Sequence, residues 1–159
     1  MIIRKYNSRD CVEIAKLFYD TVHTICLNDY TKAQLDAWAT GKVDVVKWNK
    51  SFLEHNSIVT IKNNKIIGFA DMDKNGYIDR IYVDKNYQRQ GVATKMMKYL
   101  ENTAIKNGVI CFETFASITA KPFFEKFGYV VLYENIVIRE GQYLKNYKMK
   151  KIININNDN

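Results

Sequence analysis

The chain is organised around one stretch, residues 76–108, which reads GYIDRIYVDKNYQRQGVATKMMKYLENTAIKNG. Its segment 77–83 is rich in β-branched and aromatic residues, a composition that predicts a half-buried strand. From Ala93 to Ala104 the apolar residues recur on one helical face, and Gly108 follows as a typical helix stop. The stretch therefore predicts a strand, a loop and an amphipathic helix in direct succession.

The loop between this strand and this helix, QRQGVAT at 88–94, has the features of an anion site. Gly91 allows a ligand to approach the backbone closely, and the first turn of a helix leaves several N–H groups unpaired. Those donors, the positive end of the helix dipole and the Arg89 side chain suit a phosphate or pyrophosphate. An ordinary strand-to-helix turn could use the same glycine, and the spacing matches neither a Walker A loop nor a dinucleotide fingerprint. The loop alone leaves both interpretations open.

The rest of the chain predicts a mixed α/β (α+β) domain. Helical periodicity appears in three segments before residue 56, and an Asn63-Asn64 turn joins two strands into a hairpin. A strand at 109–115 should lie parallel to 77–83, because a helix connects the two. The remaining predicted elements are strands at 2–6, 57–62, 65–72, 129–138 and 143–150, and a short helix that contains Pro122 and ends at Gly128.

Length and composition are ordinary for one globular domain, with 159 residues, of which 47% are hydrophobic and 26% charged. No apolar run reaches the length of a membrane span, and the N-terminus lacks the apolar core of a signal peptide. We therefore expect a cytoplasmic protein without a membrane partner. Cys11, Cys26 and Cys111 show no metal-ligand spacing, so we interpret them as buried thiols and expect no metal.

The formal net charge of +7 lies mostly in the half of the chain that follows residue 83. Such an excess suits nucleic acid, an anionic membrane or a polyanionic small molecule. A nucleic-acid binder would usually show denser basic clusters with interleaved aromatics, whereas these lysines are dispersed. We therefore expect no nucleic-acid partner and assign part of the excess to a phosphate-bearing small molecule.

Two segments carry a more specific pattern. The first is Q-x-x-G-x-A at 88–93, after a strand that ends Ile-Tyr-Val-Asp, and the second is ASITAKPFFEKFGY at 116–129. In this order and separation they resemble the acetyl-CoA motif and the following motif of the GCN5-related N-acetyltransferases (GNAT family), especially its YafP-like bacterial members. The resemblance covers residues 1–150, which we predict to be a single domain, and we predict a frayed polar tail at 151–159.

The resemblance implies the GNAT fold, a mixed central sheet of about seven strands with flanking helices and a splayed parallel strand pair in the middle. It also implies acetyl-CoA as co-substrate. Its thioester carbonyl would be polarised by the backbone N–H of Ile81, where a fixed donor stabilises the developing oxyanion. The implied cofactor-binding residues are Ile81, Tyr82, Val83, Gln88, Arg89, Gln90, Gly91, Val92, Ala93, Thr94, Ser117 and Phe124.

The acid and the base of the reaction are predicted less directly. Period-two alternation places Asp79 on the same strand face as Ile81 and Val83, which makes it the first candidate base, with Glu113 in reserve. The alternative for Asp79 is an exposed carboxylate paired with a lysine.

Many family members have a tyrosine acid where this chain has Phe124. Tyr147 is therefore our candidate acid, with Tyr82 and Tyr129 as alternatives, unless the thiolate leaves without a dedicated donor. Ser117 replaces an asparagine that often contacts the cofactor in the family.

The first two helices of the fold overhang the acceptor end of the cleft, so Tyr30 and Trp38 are candidate substrate-binding residues, with core aromatics as the alternative. The function that follows is an N-acetyltransferase in which an amine of a small molecule or protein attacks acetyl-CoA directly. A non-catalytic acyl-CoA sensor, favoured by Phe124, and a nucleic-acid binder are the alternatives. A homodimer through the C-terminal strands is also expected.

Overall fold

A computed structural model describes residues 1–154 of the chain. The helices within that range are α1 (Cys11–Ile25), α2 (Lys32–Trp38), α3 (Val45–Glu54), α4 (Val92–Lys106) and α5 (Lys121–Lys126), with a 3-10 turn at Ser8–Asp10 before α1. The strands are β1 (Ile2–Lys5), β2 (Asn56–Lys62), β3 (Lys65–Met72), β4 (Tyr77–Val83), β5 (Cys111–Ser117), β6 (Val130–Arg139) and β7 (Gln142–Ile152). The helices include none with the length and apolarity needed to cross a lipid bilayer, as far as residue 154.

The strands form one mixed sheet in the order β1-β2-β3-β4-β5-β7-β6. Neighbouring strands are antiparallel except β4 and β5, which are parallel and joined by α4. The left-handed pair Asn63 and Asn64 forms the β2–β3 turn, as the sequence predicts. This architecture confirms the predicted fold class.

The two parallel strands separate soon after they meet. Their pairing covers Tyr77 with Glu113 and Ile78 with Thr114. At the last pair the Thr114 hydroxyl donates to the carbonyl oxygen of Ile78 at 2.9 Å, in place of a further rung of the ladder. Beyond this point β4 stays paired with β3, and β5 stays paired with β7. A gap therefore opens between the C-terminal halves of β4 and β5.

Two hydrophobic layers hold the sheet in place. On one face, Met96, Met97 and Leu100 of α4 are fully buried against the sheet, so the helical stripe predicted from the sequence faces the core. On the other face, Phe18 of α1 and Phe52 of α3 pack with residues of β2 and β3. Full burial of one such side chain contributes roughly 1.5–3 kcal/mol to folding stability. The two layers therefore hold the strands, and with them the gap, in position.

The C-terminal strand continues further than the sequence predicted. β7 ends at Ile152, and the N–H of Ile153 donates to the carbonyl oxygen of Ile110 at 2.8 Å. Lys151 reaches back to the buried carboxylate of Glu101 on α4, with 2.7 Å between Nζ and Oε1. The prediction of a frayed tail from residue 151 is therefore wrong for residues 151–153, because an ion pair and backbone hydrogen bonds hold them against the sheet and α4. Its residues 155–159 lie outside the described part of the chain.

Candidate active site

Two cavities meet at the gap between β4 and β5. The first, which we name the α4 cavity, has a volume of about 390 Å³ and is lined by the start of α4 and the loop before it. The second, the hairpin cavity, has a volume of about 560 Å³ and extends to the α2–α3 connection and the β6–β7 hairpin. Both are lined by Trp38, Ile81, Tyr82, Ser117 and Ala120. The two cavities therefore adjoin at the gap, and we name this shared boundary the passage.

The start of α4 is open toward the α4 cavity. Gly91 is the N-cap residue in a left-handed conformation (φ 81°), and no side chain caps the helix there. A Cβ atom built at Gly91 would meet no protein atom within 4 Å. The first-turn N–H groups after Gly91 lack intrahelical acceptors. Together with the helix dipole, these groups have the geometry that the predicted anion site requires.

Most of the predicted cofactor-binding residues lie around the α4 cavity. Those in its lining are Ile81, Tyr82, Val83, Gln88, Arg89, Gly91, Val92, Ala93, Thr94 and Ser117. Gln90 is exposed and is absent from the described lining. Phe124 is buried and lines the hairpin cavity instead, whereas the neighbouring Phe123 lines the α4 cavity.

The backbone of β4 presents unpaired groups to the gap. The N–H of Asp84 donates to Ile67 of β3, so by antiparallel alternation the N–H and C=O groups of Ile81 and Val83 point away from β3. The Val83 carbonyl oxygen already accepts from Thr21 Oγ1 at 3.0 Å and from Gln88 Nε2 at 2.7 Å. The Gln88 side chain thus fixes the loop, and Ile81 keeps an N–H free for a ligand. Sequence reasoning missed Thr21, which lies in an amphipathic helix without a local functional signal.

Asp79 lies on the opposite strand face from the one predicted. The register of β3 and β4 passes from Asp71–Arg80 to Met72–Ile78, which leaves Asp79 as the extra residue of a β-bulge. The bulge turns its side chain to the side of Arg80, with 3.5 Å between Asp79 Oδ2 and Arg80 Nη2. The prediction of a shared face with Ile81 is therefore wrong, because period-two alternation fails at a bulge. Asp79 nevertheless lines the hairpin cavity.

Asp79 lies next to a buried network of charged residues. The fully buried Asp71 carboxylate accepts from Arg80 Nε at 3.0 Å and Nη2 at 2.7 Å, and its Oδ2 lies 2.7 Å from His55 Nδ1. The Arg80 guanidinium also donates to Ser51 Oγ and stacks on Phe52. Burial raises the pKa of Asp79, and the Asp71 charge adds to this, although Arg80 acts in the opposite direction. Asp79 therefore holds a proton more readily than an ordinary aspartate.

The same network includes three groups with metal-ligand chemistry, His55, Asp71 and Asp79, whose ligand atoms lie within 4.8 Å of one another. Both oxygens of Asp71 are already hydrogen-bonded to the Arg80 guanidinium. A positive guanidinium inside the cluster opposes a second cation. The arrangement therefore favours an ion-pair network over a metal site.

His55→Asn is expected to make stability less dependent on pH. The hydrogen bond to Asp71 raises the pKa of His55, so the folded state favours the imidazolium. This stabilisation is fully present below the unfolded-state pKa of about 6.5 and disappears as pH rises through the higher folded-state pKa. Urea unfolding should show the wild type to be more stable than the variant by about 1–3 kcal/mol at pH 5.5, with a smaller difference at pH 8.5. A difference that grows with pH would contradict the assignment.

The predicted acids and the reserve base occupy different positions. Tyr147 pairs with β5 and β6, its ring lies 5.0 Å from Lys121 Nζ, and neither described cavity lining includes it. Tyr129 is buried and donates to Glu101 at 2.7 Å. Glu113 lies 3.8 Å from Lys148 Nζ and is likewise absent from both described linings. Tyr82 is the predicted hydroxyl that lines the passage itself.

The candidate substrate-binding residues Tyr30 and Trp38 both line the hairpin cavity, and they are also packed together, with ring centroids 5.3 Å apart. The Tyr30 hydroxyl donates to the carbonyl oxygen of Lys145 at 2.6 Å and accepts the N–H of Ile118 at 2.9 Å. Burial raises its pKa to about 12. Tyr30 thus ties α2 and its preceding loop to the sheet, whereas Trp38 borders both cavities.

Comparison with known proteins gives the same class as the geometry. A family model described as an acetyltransferase (GNAT) domain matches residues 26–151. The uncharacterized N-acetyltransferase YafP of Escherichia coli (strain K12) is 31% identical over 148 residues, 93% of each protein. The chain therefore belongs to the GNAT acetyltransferase family, which confirms the resemblance of its two motifs.

Solved structures show the same fold. A GCN5-related N-acetyltransferase from Rhodopseudomonas palustris, also described as a class-II aminotransferase, has a TM-score of 0.92 at 28% identity over 96% of this chain and 95% of that chain. PaiA N-acetyltransferase from Thermoplasma acidophilum, solved with coenzyme A, has a TM-score of 0.78 at 15% identity over 95% and 98%. YncA from Salmonella typhimurium, solved with acetyl-CoA, has a TM-score of 0.70 at 17% identity over 100% and 97%. The last two likenesses concern the fold alone.

Proposed function

We propose that the protein transfers the acetyl group of acetyl-CoA to a primary amine by direct attack. The observation that carries this proposal is the passage at Ile81, which borders both the open helix start in the α4 cavity and a second cavity lined by a carboxylate. The α4 cavity would hold the coenzyme, with its diphosphate at the N–H groups after Gly91. Two structural neighbours were solved with coenzyme A or acetyl-CoA, which supports the same choice.

The residues at the passage match the requirements of this reaction. Bound acetyl-CoA would supply an acyl group activated as a thioester. The free N–H of Ile81 can donate a hydrogen bond to the carbonyl oxygen as negative charge develops there, usually a large catalytic contribution. Tyr82 is the candidate proton donor to the departing sulfur, because it lines both cavities; burial raises its pKa, which keeps the hydroxyl protonated but also makes it a weaker acid. Tyr82 takes this role in place of Tyr147, which lies outside the passage.

Asp79 provides the base in this proposal. A free primary amine has a pKa of about 10.4 and is almost entirely protonated at pH 7, so a proton must leave before attack. Asp79 lines the cavity that would receive the amine, and its raised pKa improves it as a proton acceptor. The Arg80–Asp71 ion pair fixes the bulge that presents Asp79.

The proposal predicts that acetyl-CoA stabilises the folded protein. At a concentration of 100 times Kd the ligand adds about 2.7 kcal/mol, which corresponds to a rise in Tm of roughly 5–10 °C for a domain of this size. Differential scanning fluorimetry measures this rise, and thiol release across an amine panel measures turnover. Absence of a Tm shift at millimolar acetyl-CoA would contradict the coenzyme site.

A non-catalytic acyl-CoA sensor is the second candidate, and Phe124 is the observation that favours it. The residue lines the hairpin cavity with a side chain that has no proton to donate. This candidate predicts the same Tm shift without thiol release in the presence of any amine. The two measurements together distinguish a sensor from an enzyme.

The assembly and the compartment are also part of the proposal. β6 is an edge strand whose exposed residues include Val130, Ile136 and Ile138, a surface that supports pairing with a second copy as a homodimer. Cys11, Cys26 and Cys111 are free thiols, which supports the reducing cytoplasm as the compartment.

A further inference from the structure

The hairpin cavity has an excess of positive charge. Among its described lining residues, the cations are Lys42, Lys47, Arg80, Arg139 and Lys145, and the carboxylates are Asp44 and Asp79. An excess of this kind in a concave surface concentrates anions and repels cations. The cavity that faces the acceptor therefore selects against acceptors that carry only positive charge.

Part of this charge is already neutralised, so the net excess is smaller than these numbers suggest and rests on three cations. Arg80 is paired with Asp71, and Lys145 Nζ lies 3.6 Å from Glu134. Asp44 serves as the N-cap of α3, where its carboxylate accepts the backbone N–H of Lys47 at 3.1 Å. Asp79 is then the carboxylate of this lining that lies beside the passage.

Three cations in the same lining lack a carboxylate partner. Lys42 in the α2–α3 connection, Lys47 on α3 and Arg139 at the β6–β7 turn make no ion pair with any residue up to 154. They belong to two separate parts of the chain that face one cavity. Each is exposed and none lies on β4, which carries Asp79 and Ile81, so we name these three the outer cations. The cavity thus contains three cations without ion-pair partners, and separately the carboxylate of Asp79 beside Arg80 on β4.

We propose that the acceptor is a primary amine that also carries an anionic group, a carboxylate or a phosphate. The ammonium group would lie at Asp79, and the anionic group would lie among Lys42, Lys47 and Arg139. This inference rests on the proposed function and names its substrate class. Polyamines and other polycationic amines match Asp79 but are repelled by the outer cations.

The reaction that follows is balanced. The ammonium group gives one proton to Asp79, which passes it to solvent, and the neutral nitrogen attacks the thioester carbon. An N–C bond forms, the C–S bond breaks, and the second amine proton replaces the one that Tyr82 gives to the thiolate. The products are an N-acetyl carboxylate or phosphate and free coenzyme A.

The test compares matched acceptors in a thiol-release assay with acetyl-CoA: β-alanine against β-alaninamide, O-phosphoethanolamine against ethanolamine, and spermidine. Wild-type protein should show kcat/KM at least tenfold higher for the anionic member of each pair. The double variant Lys47→Gln with Arg139→Gln should raise KM for the anionic acceptors about tenfold and so remove most of the preference for them over β-alaninamide and ethanolamine. Lys50→Gln, on the same helix as Lys47 but outside the described lining, is the matched control.

Calorimetry with coenzyme A present separates this inference from the proposed function. Preferential binding of the anionic acceptors without thiol release from any amine would retain the substrate class and reject catalysis. Equal or better binding and turnover of spermidine, β-alaninamide or ethanolamine would overturn the inference even if the protein is an active acetyltransferase. No binding of the anionic acceptors would overturn it as well.

Discussion

Gly91→Glu is expected to abolish binding of acetyl-CoA, with a loss of affinity of at least 100-fold. The position lies at the start of α4, where a Cβ atom meets open space that the coenzyme diphosphate would occupy. The new side chain therefore places both bulk and negative charge at the proposed anion site. Isothermal titration calorimetry with acetyl-CoA measures the loss directly.

Gly108→Glu is a closely matched control for this variant. Gly108 also has a positive φ, 90°, and open space around its Cβ position, but it lies beyond the other end of α4. Both substitutions carry a similar backbone penalty, about 1–2 kcal/mol for a left-handed residue with a side chain. Both variants should therefore show a similar fall in Tm, and Gly108→Glu should keep its affinity. Comparable losses of affinity in the two would show that the effect comes from the helix and not from the site.

Asp79→Asn is expected to lower kcat by 100-fold or more while leaving acetyl-CoA affinity unchanged. General base catalysis contributes about 10²–10⁴ to rate, and the amide cannot accept the proton of the amine. Glu113→Gln is the control, because it removes the reserve carboxylate on the neighbouring strand, which is absent from the described lining of both cavities. If Glu113→Gln lost activity and Asp79→Asn did not, the assignment of the base would be reversed.

The pH dependence of Asp79 gives this prediction a second measurement. The base acts in its ionised form, so wild-type kcat should fall as pH decreases through a pKa above the ordinary aspartate value. The pH–rate profile of the variant should not show this decrease. A raised folded-state pKa also means that ionised Asp79 opposes folding near neutral pH. Asp79→Asn should therefore retain the wild-type Tm at pH 7 or exceed it. A large fall in Tm would indicate a structural role.

The sequence predicted the fold well where local patterns carried the information. The strand at 77–83, the apolar stripe of α4 and the Asn63-Asn64 turn are each determined by neighbours within a few residues. All three elements are present as predicted, although a bulge interrupts the alternation of the strand at Asp79. The cofactor loop was predictable for the same reason. Its proposed role depends on backbone N–H groups and on Gly91, both of which follow from a strand–loop–helix connection.

The face of β4 on which the Asp79 side chain lies was not predictable from alternation alone. The bulge at Asp79 depends on pairing with β3 and on the Asp71–Arg80 ion pair, whose two members are nine residues apart in sequence. A single inserted residue reverses which side chains face a cavity, and no local composition marks it. Tyr147 illustrates the same limit, because its distance from the passage follows from the register of β7 against β5.

The lining of the hairpin cavity was still less accessible to sequence reasoning. Lys42, Lys47 and Arg139 are dispersed surface cations in the sequence, and they meet only because the β6–β7 hairpin lies opposite the α2–α3 connection. Acceptor pockets are generally built from such loops and helix ends, whose relative position is set by tertiary structure.

The two hydrogen bonds to the Val83 carbonyl oxygen have a kinetic consequence. Thr21 and Gln88 hold the loop before α4 in its shape in the free protein, since both donors belong to the chain itself. Binding of the coenzyme then requires little further ordering of the backbone. The conformational entropy that a flexible loop would lose on binding has already been lost during folding. Association should accordingly occur in a single kinetic phase, at a rate governed by diffusion and charge attraction rather than by a conformational step.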